Sequence, residues 1–388
     1  FIDNAPSGVR SILCAKVNLG QRKTRMDYTS VPVAADPGVD RQRPASIGCA
    51  VAAPRLRMLG KHCLESLLQM HPELIANAAA ALRRGELVAM PTETVYGLAA
   101  DARNPEAVRR IFLAKGRPAD HPVIVHLPDQ SAITQWAETV PAKARLLMDA
   151  FWPGPLTLVL KKAAAVDPII TGGQDTVGLR LPAHPIAQAL LRAFGGAVAA
   201  PSANRFGRIS PTTAAHVREE FPDADFVVLD GGASEVGLES TIVDLSGDQP
   251  RLLRPGQITA SAIEALIGPL QRPGDDQGPR ASGRLESHYA PAKPMVMVDA
   301  DSARERLRSG ASSSDQWLTQ GPLPAGVSGI ALGTDPQSYA RGLYAALRQL
   351  DAEAGIRILV EMPPDTEAWV AVHDRLRRAA AGSRDLAL

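Results

Sequence analysis

Short apolar runs alternate along this chain with segments whose apolar residues recur at helical spacing. Residues 87–90 and 123–127 are short, largely apolar runs bounded by polar or turn residues, which is the pattern of a buried strand. Residues 105–114 instead space their apolar side chains three or four positions apart, which predicts a helix that faces a core. The alternation of the two patterns predicts an α/β fold whose sheet contains strands of mixed direction.

The same two patterns assign the other elements of the first half of the chain. Pro72 suits the first turn of the first helix, and Gly85 ends it. We predict helices over residues 73–84, 105–114, 142–150, 185–194 and 213–220, and strands over residues 87–90, 123–127, 156–160, 176–181, 197–200, 226–229 and 240–245.

A second α/β unit follows a linker. Residues 267–294 are rich in glycine, proline and charged residues, which is the composition of a linker. Beyond it, predicted strands (294–298, 329–332, 356–361) alternate with predicted helices (303–308, 338–354, 367–380), as in a small Rossmann-like module. Because 388 residues are too many for one ordinary core, we expect a larger domain over 70–266, the linker over 267–294 and a smaller domain over 295–388.

The first 69 residues differ from the rest of the chain. They hold 10 Lys/Arg against 5 Asp/Glu, whereas the remainder holds 32 against 36. Cys14, Cys49 and Cys63 all fall here, so a disulfide framework or a cysteine-based zinc site is excluded from residue 70 onward. Because residues 1–69 show no sustained periodicity, we predict a disordered leader or a mis-assigned N-terminal extension, with a basic transit peptide as the alternative.

Composition and missing motifs exclude several classes of function. A net charge of +1 does not indicate a protein that binds nucleic acid over a broad basic surface, so any basic site must be local. No stretch approaches 18 consecutive apolar residues, so we predict no membrane span. We expect a cytoplasmic protein, since the lack of cysteine from residue 70 onward fits a reducing compartment. The chain has neither a phosphate-binding G-x-x-x-x-G-K-[ST] loop nor a G-x-G-x-x-G turn after a strand.

Two cations follow the predicted helix over 105–114. Lys115 and Arg117 flank Gly116 and precede Pro118, which can be explained by helix termination alone, since cations complement the helix dipole and glycine adopts the left-handed cap. Alternatively, Lys115 acts as a point charge and Arg117 as a fork that hold phosphate oxygens. The residues alone leave both interpretations open.

Other polar residues at strand ends have two interpretations as well. Arg180 alternates with apolar residues and is costly to bury unpaired, so it either reaches solvent or clamps an anion such as a carboxylate. Ser202 and Asn204 either form a turn or face a ligand at the mouth of the sheet. Ser240 and Arg254 either belong to a capped turn and a solvated loop or join the same site.

Taken together and in order, the motifs of this chain resemble the Sua5/YrdC family of threonylcarbamoyl-AMP synthases over residues 72–260. Residues 287–291 (S-H-Y-A-P) and the second unit resemble the long, two-domain form of that family. The matching motifs are P-T-E-T-V-Y-G-L at 91–98, K-G-R-P at 115–118, V-I-V-H at 123–126, W-P-G-P-L-T at 152–157, R-L-P-x-H-P at 180–185, A-P-S-A-N at 200–204, G-x-E-S-T-I-V-D at 237–244 and L-L-R-P-G at 252–256.

The resemblance implies a fold and a reaction. The fold would be a YrdC-like twisted mixed sheet joined by the linker to a Rossmann-like Sua5 domain. The reaction would combine L-threonine, bicarbonate and ATP into threonylcarbamoyl-AMP and pyrophosphate, with Mg²⁺ on the ATP phosphates and no direct protein ligand to the metal. Downstream tRNA threonylcarbamoyl transferase machinery would use the product at position 37 of tRNAs that read ANN codons, and a direct tRNA contact is possible.

The resemblance also implies roles for individual residues. A quartet would hold the ATP phosphates and support catalysis, further residues would contact the nucleotide, and a third set would hold threonine, with Arg180 on its carboxylate. The quartet is Lys115, Arg117, Ser202 and Asn204. The residues that would contact ATP are Arg117, His121, Thr176, Ser202, Ser210, Arg254 and Tyr289, the last as a lid. The residues that would hold threonine are Thr94, His126, Arg180, Ala200 and Ser240.

Two departures and two alternatives remain. His121 stands where the family often has Asn, and the final helix lacks the family's glycine-rich sequence before Asp374-Arg375-Leu376. A hydrogenase-maturation carbamoyltransferase is one alternative, but the missing cysteines argue against it. A double-stranded-RNA-binding or ribosome-maturation module is the other, and it would bind structured RNA without ATP and with a steep salt dependence.

Overall fold

The computed structural model describes residues 72–272, 278–283 and 287–382, which lie within one compact unit. The predicted N-terminal leader over 1–69 lies outside the described residues. The described strands form two separate sheets, one of nine strands and one of four. Both are accompanied by helices, so the predicted α/β class is confirmed.

The larger sheet is mixed in direction, as predicted. Its spatial order is β7-β1-β2-β6-β3-β5-β4-β8-β9, in which β3 pairs parallel with β5 while β6 runs antiparallel to both of its neighbours. The strands are β1 (Val88–Met90), β2 (Gly97–Asp101), β3 (Ile124–His126), β4 (Leu156–Lys161), β5 (Thr176–Arg180), β6 (Val198–Ala199), β7 (Val227–Val228), β8 (Thr241–Asp244) and β9 (Arg251–Arg254).

The helices of this part begin and end where the sequence supplies caps. The second helix starts after Asn104, whose side chain accepts hydrogen bonds from the backbone N–H groups of Glu106 and Ala107, and ends at Gly116 in the left-handed conformation (φ 62°). The helices are α1 (Pro72–Arg83), α2 (Pro105–Lys115), α3 (Ala142–Phe151), α4 (Pro168–Thr171), α5 (Pro185–Phe194), α6 (Ala214–Glu220) and α7 (Ala260–Ile267), with a 3₁₀ helix at Ser131–Gln135.

The second sheet is entirely parallel, as a Rossmann-like unit requires. Its order is β10-β13-β11-β12, from strands β10 (Met295–Val298), β11 (Asp315–Thr319), β12 (Gly329–Ala331) and β13 (Arg357–Glu361). Its helices are α8 (Ala300–Ser309), α9 (Pro336–Ala352) and α10 (Val370–Ala381), the last preceded by a 3₁₀ turn at Glu367–Trp369. No helix in the described part of the chain is long and apolar enough to cross a membrane.

The register of the larger sheet places two polar side chains together. His126 at the end of β3 lies directly opposite Arg180 at the end of β5. Because β3 and β5 are parallel, their carboxyl ends open on the same edge, which is where ligands bind in sheets of this kind.

An apolar cluster joins the two sheets. Leu343 and Tyr344 of α9 belong to the same buried cluster as Val95, Ile209 and Leu238 from the loops around the larger sheet. All five are almost fully shielded from solvent. The smaller unit therefore packs directly onto the part of the chain that carries the strand ends described above.

Some elements were not predicted. β2 reads Gly-Leu-Ala-Ala-Asp and lacks the β-branched and aromatic residues that mark strands, and β9 is only four residues long with arginine at both ends. β11, α4 and α7 were also missed. The predicted helix over 367–380 was wrong at its start, because Glu367–Trp369 is a 3₁₀ turn. The domain limits 70–266, 267–294 and 295–388 stay a prediction.

Leu343→Ala should lower the free energy of unfolding by about 2–5 kcal/mol, because it leaves a cavity in the cluster that joins the two sheets. Urea denaturation followed by circular dichroism measures this. Leu113→Ala is the matched control, since the Leu113 side chain is 79% exposed in α2 and its loss should change little. Equal effects of the two substitutions would contradict a shared core.

Candidate active site

One cavity lies at the strand ends of the larger sheet, and most of the predicted site residues line it. The linker contributes Ser282, Gly283 and His288 to its wall. The predicted residues that line this cavity are Thr94, Arg117, His126, Arg180, Ala200, Ser202, Ser240, Arg254 and Tyr289.

Arg180 is buried beside a carboxylate, so it does not reach solvent at its strand end. Its Nη2 donates to Glu93 Oε1 at 2.6 Å and its Nη1 to Thr94 Oγ1 at 2.9 Å. Its Nε donates to the Gly154 carbonyl at 3.3 Å, and Glu93 Oε2 accepts from the backbone N–H of Ala183 at 3.0 Å. A buried ion pair supported by these further hydrogen bonds holds the guanidinium in one orientation.

Ser240 and Arg254 form a second polar wall. Arg254 is buried and donates from Nε to the Ser240 carbonyl at 3.0 Å and from Nη2 to Ser240 Oγ at 3.2 Å. Ser240 Oγ also lies 2.8 Å from Thr157 Oγ1. Arg254 Nη1 donates to the carbonyl of Ser282 in the linker at 2.9 Å. Arg254 is therefore not a solvated loop residue, and it links β9, the start of β8 and the linker.

Arg117 contributes a further buried cation. Its Nη2 donates to the Pro122 carbonyl at 2.9 Å and lies 3.3 Å from Ser282 Oγ, and its guanidinium stands 5.8 Å from the centre of the Phe206 ring. Its Nε has no hydrogen-bond partner among the described residues. Burial lowers the pKa of Arg117 to about 10, which leaves it charged at neutral pH.

Lys115 and Asn204 lie behind the cavity wall and do not line the cavity. Lys115 Nζ donates to the carbonyls of Ser202 and Asn204, both at 2.5 Å. Burial, and then the nearby Arg117, hold the pKa of Lys115 well below its usual value. Asn204 Nδ2 donates to the carbonyls of Arg205 and Arg208. Both side chains thus shape the loop that presents Ser202.

Three other predicted residues lie around the cavity. Thr176 lines a neighbouring pocket that shares Ser282 with the main cavity. His121 is partly exposed, and its ring meets Phe206 edge-on with the centres 5.4 Å apart. Ser210 is fully buried and donates to Glu239 Oε1 at 2.6 Å.

Glu239 connects the cavity to the smaller unit. It lines the cavity, and its Oε2 accepts from Arg375 Nε of α10 at 2.8 Å and from the Tyr344 hydroxyl of α9 at 2.9 Å. Burial alone would raise the pKa of Glu239, but Arg375 and then Arg254 outweigh it, and the pKa falls to about 2. The carboxylate is therefore ionised at neutral pH.

The two histidines of the cavity are neutral. Burial, and then Arg180, lower the pKa of His126 to about 3. Burial likewise lowers the pKa of His288 to about 3. Both rings can donate or accept a hydrogen bond at neutral pH, but neither adds positive charge to the arginines.

Tyr289 of the linker belongs to the cavity wall. Tyr289 is 1% exposed and adopts a left-handed backbone conformation (φ 62°), which a non-glycine residue keeps only when its surroundings hold it. The next residue, Ala290, donates its N–H to the Gly207 carbonyl at 2.9 Å. The remaining cavity volume is about 50 Å³, which is room for a few water molecules.

Sequence reasoning missed Glu93, Glu239 and Arg375. Glu93 lies in the P-T-E-T-V-Y-G-L motif and Glu239 in the G-x-E-S-T-I-V-D motif, each beside a hydroxyl residue and close to apolar residues. A carboxylate that is buried among such residues needs a cationic partner. That was the available signal. The identity of the partner depends on the fold, because Arg375 is 136 positions away from Glu239.

Metal ligands are scarce in this part of the chain. Over 72–272, 278–283 and 287–382, no group of three or more His, Cys, Asp or Glu side chains could hold a metal ion. The carboxylates of Glu93 and Glu239 are both committed to arginines. The residues present fit a cation that arrives with an anionic ligand better than one held by the protein alone.

Comparison with known proteins gives consistent matches along the chain. A family model described as "Telomere recombination" (Sua5, YciO and YrdC proteins) matches residues 80–256, and one for the C-terminal domain of threonylcarbamoyl-AMP synthase matches residues 258–381. A threonylcarbamoyl-AMP synthase of Bacillus subtilis is 41% identical over 322 residues, covering 79% of this chain and 93% of its own. That of Pyrococcus abyssi is 40% identical over 317 residues, covering 78% and 93%.

Solved structures match in the same way. The Pyrococcus abyssi Sua5 protein complexed with L-threonine has a TM-score of 0.74 and 39% identity, covering 80% of this chain and 94% of its own. A double variant of that protein, with His and Tyr each replaced by Ala, has the same TM-score and identity, and covers 80% and 93%.

His126→Gln should make the protein less sensitive to acid. With a folded-state pKa near 3 and an ordinary pKa of 6.5 when unfolded, His126 takes up a proton only in the unfolded chain as pH falls below 6.5. Its contribution therefore lowers stability with falling pH, and its removal should lessen the loss between pH 6.5 and 4 by about 1–3 kcal/mol. Urea denaturation at several pH values measures this.

His121→Gln is the control for that experiment, because the His121 side chain is more exposed and we expect a smaller change. An identical pH dependence for the wild type and His126→Gln would show that the His126 ring is charged or solvated in the folded protein.

Proposed function

The chain belongs to the Sua5/YrdC family of threonylcarbamoyl-AMP synthases, and we propose that it acts as a nucleotidyltransferase that makes threonylcarbamoyl-AMP and pyrophosphate from L-threonine, bicarbonate and ATP. One observation carries this proposal beyond the family match. A single cavity is lined by Arg180 with its hydroxyl neighbour Thr94 and also by the buried cations Arg117 and Arg254. An amino acid needs a cation with a hydroxyl for its carboxylate, and a nucleoside triphosphate needs further cations for its phosphates. Both sets of groups line this cavity.

Arg180 is the proposed partner of the threonine carboxylate. A guanidinium carries five N–H donors, and three hydrogen bonds of Arg180 go to Glu93, Thr94 and Gly154. The remaining donors suit a carboxylate, and the fixed orientation lowers the cost of binding it. Hydroxyl, imidazole and backbone groups would complete the threonine site, from Thr94, His126, Ser240 and Ala200.

Arg117 and Arg254 are the proposed partners of the ATP phosphates. Both are buried cations at the cavity, and the Nε of Arg117 has no partner within the described ranges. Ser202 presents its side chain to the same space. Thr176 in the adjoining pocket, His121 beside Phe206 and Tyr289 in the linker would contact the nucleoside.

Lys115, Asn204 and Ser210 would act from behind this wall. Lys115 and Asn204 hold the loop that carries Ser202, and Ser210 holds Glu239. We therefore propose that Arg117 and Ser202 of the signature quartet touch ATP, whereas Lys115 and Asn204 position the loop.

The proposed chemistry requires positioning and charge neutralisation. Bicarbonate releases carbon dioxide and hydroxide. The neutral amine of threonine adds to the carbon dioxide and gives a proton to that hydroxide, which leaves a carbamate and one water. The carbamate oxygen then attacks the α-phosphate of ATP, the bond from that phosphorus to the bridging oxygen breaks, and pyrophosphate leaves. Charge that develops on the phosphate oxygens is offset by the two arginines, which are already oriented before the reaction. Mg²⁺ bound to the phosphates would supply further neutralisation, and no protein carboxylate is required for it.

We propose that the linker moves as ATP enters and closes with Tyr289 as a lid. The support for this proposal is that Ser282, Gly283 and Tyr289 of the linker line the same cavity as the buried arginines.

The product would pass to a tRNA threonylcarbamoyl transferase for the modification at position 37, in the cytoplasm, and direct contact with tRNA remains a proposal. The comparisons support the synthase and not the double-stranded-RNA-binding alternative.

Pyrophosphate release from ATP by the purified chain tests the function. We expect release that requires both L-threonine and bicarbonate, with serine and valine as poor substitutes. A coupled phosphate assay measures it. Release without either substrate would indicate another adenylating or hydrolytic activity, and RNA binding without release would favour the RNA-binding module.

Replacement of the ion pair by Arg180→Met with Glu93→Gln should raise the KM for threonine at least about tenfold and that for ATP much less. The double substitution avoids leaving an unpaired buried charge, which Arg180→Ala would do. Arg192→Met, at an exposed position of α5, is the control. Equal losses for threonine and ATP would contradict the carboxylate clamp.

A further inference from the structure

Arg375 brings a positive charge from the smaller unit to the back of the cavity. It lies in α10, and its side chain is 0% exposed. It donates to Glu239 Oε2 at 2.8 Å, and its Nη2 reaches the carbonyls of Pro255 at 3.1 Å and Glu239 at 3.3 Å. Glu239 directly precedes Ser240, and Pro255 directly follows Arg254, so both contacts of Arg375 adjoin the second polar wall.

The charges of two buried arginines, Arg375 and Arg254, act on Glu239. Of these two, Arg375 donates a hydrogen bond to the Glu239 carboxylate. Ser210 occupies Oε1, while Tyr344 and Arg375 occupy Oε2. Arg254 helps to lower the pKa of Glu239, but it donates its own hydrogen bonds to Ser240 and Ser282.

We propose that Arg375 is a positioning residue of the synthase reaction: it neutralises Glu239 from the smaller unit, so that Arg254 stays on Ser240 and remains available to ATP. The inference rests on the proposed function, because it takes ATP as the ligand of Arg254. It gives the smaller unit a defined part in the reaction, although Arg375 itself does not line the cavity.

Loss of Arg375 would leave the buried carboxylate of Glu239 without its principal counter-charge. Without Arg375, Glu239 would keep a buried negative charge without its principal partner, and a charge in that condition draws in the nearest cation or a proton. The other cation whose charge acts on Glu239 is Arg254, which donates to the carbonyl of the adjacent Ser240 at 3.0 Å. Movement of Arg254 toward Glu239 would remove a phosphate partner, and an uncompensated carboxylate would repel the phosphates.

A merely structural role must be distinguished from this one, because Arg375 also stacks on Tyr289, with 5.4 Å from its guanidinium carbon to the ring centre. The two roles differ in their response to Glu239. If Arg375 acts through the charge of Glu239, removal of that charge should restore function to an Arg375 variant. If it only fills space, removal of the charge should not help.

The test uses the full chain and four variants: Arg375→Met, Arg375→Lys, Arg375→Met with Glu239→Gln, and the control Arg377→Met at an exposed position of the same helix. The Kd of Mg-ATP is measured by calorimetry without threonine, and pyrophosphate release is measured in parallel. We expect Arg375→Met to weaken ATP about tenfold, Arg375→Lys to lie in between, the double variant to recover most of the loss, and the control to match the wild type.

An ATP Kd of Arg375→Met within about twofold of the wild type would overturn the inference, and so would a double variant no tighter than Arg375→Met. If Arg375→Met does not fold, Tyr344→Phe decides, since it removes one hydrogen bond from Glu239; about threefold weaker ATP binding supports the inference, and unchanged binding overturns it. If the wild type binds ATP but releases no pyrophosphate, the proposed function fails while the role of Arg375 is still judged from the Kd.

Discussion

Buried arginine side chains beside the cavity determine which groups of the surrounding elements must lie next to them. A guanidinium removed from water is tolerated only with hydrogen-bonded partners, and each of these arginines finds its partners in a different element. Arg180 in β5 takes Glu93 from the loop before β2, and Arg254 in β9 takes the backbone and hydroxyl of Ser240. These partners hold the arginines in the walls of the cavity.

The same constraint explains how the two sheets cooperate. Glu239 ends the loop before β8, and its principal counter-charge, Arg375, lies in the last helix of the smaller unit. The cluster that contains Val95 and Leu343 gives the two sheets an apolar contact. The ion pair between Arg375 and Glu239 adds a charged contact at the cavity wall. A change in the packing of α10 would therefore reach Arg254 through one residue.

The sequence predicted the parts that periodicity and local chemistry control. Alternating patterns located most strands and helices, and the family resemblance placed His126 and Arg180 in one site. The structure shows that these two residues lie opposite each other on the parallel strands β3 and β5, a pairing that was not predicted. The sequence did not predict which way Lys115 points, because the same K-G-R-P pattern serves a helix cap and a phosphate site, and here the amine bonds to backbone carbonyls. Nor could it pair Glu239 with Arg375, since that contact arises only from tertiary packing.

In the proposed mechanism Arg180 holds the carboxylate of threonine, so that the amine end becomes the carbamate that attacks ATP. Mass spectrometry of the nucleotide product formed from threonine, ATP and isotopically heavy bicarbonate tests this mechanism. We expect an adenylate that contains threonine and carries the heavy carbon. An adenylate of threonine without the label would mean that the carboxylate itself attacks ATP, and it would contradict the assignment of Arg180.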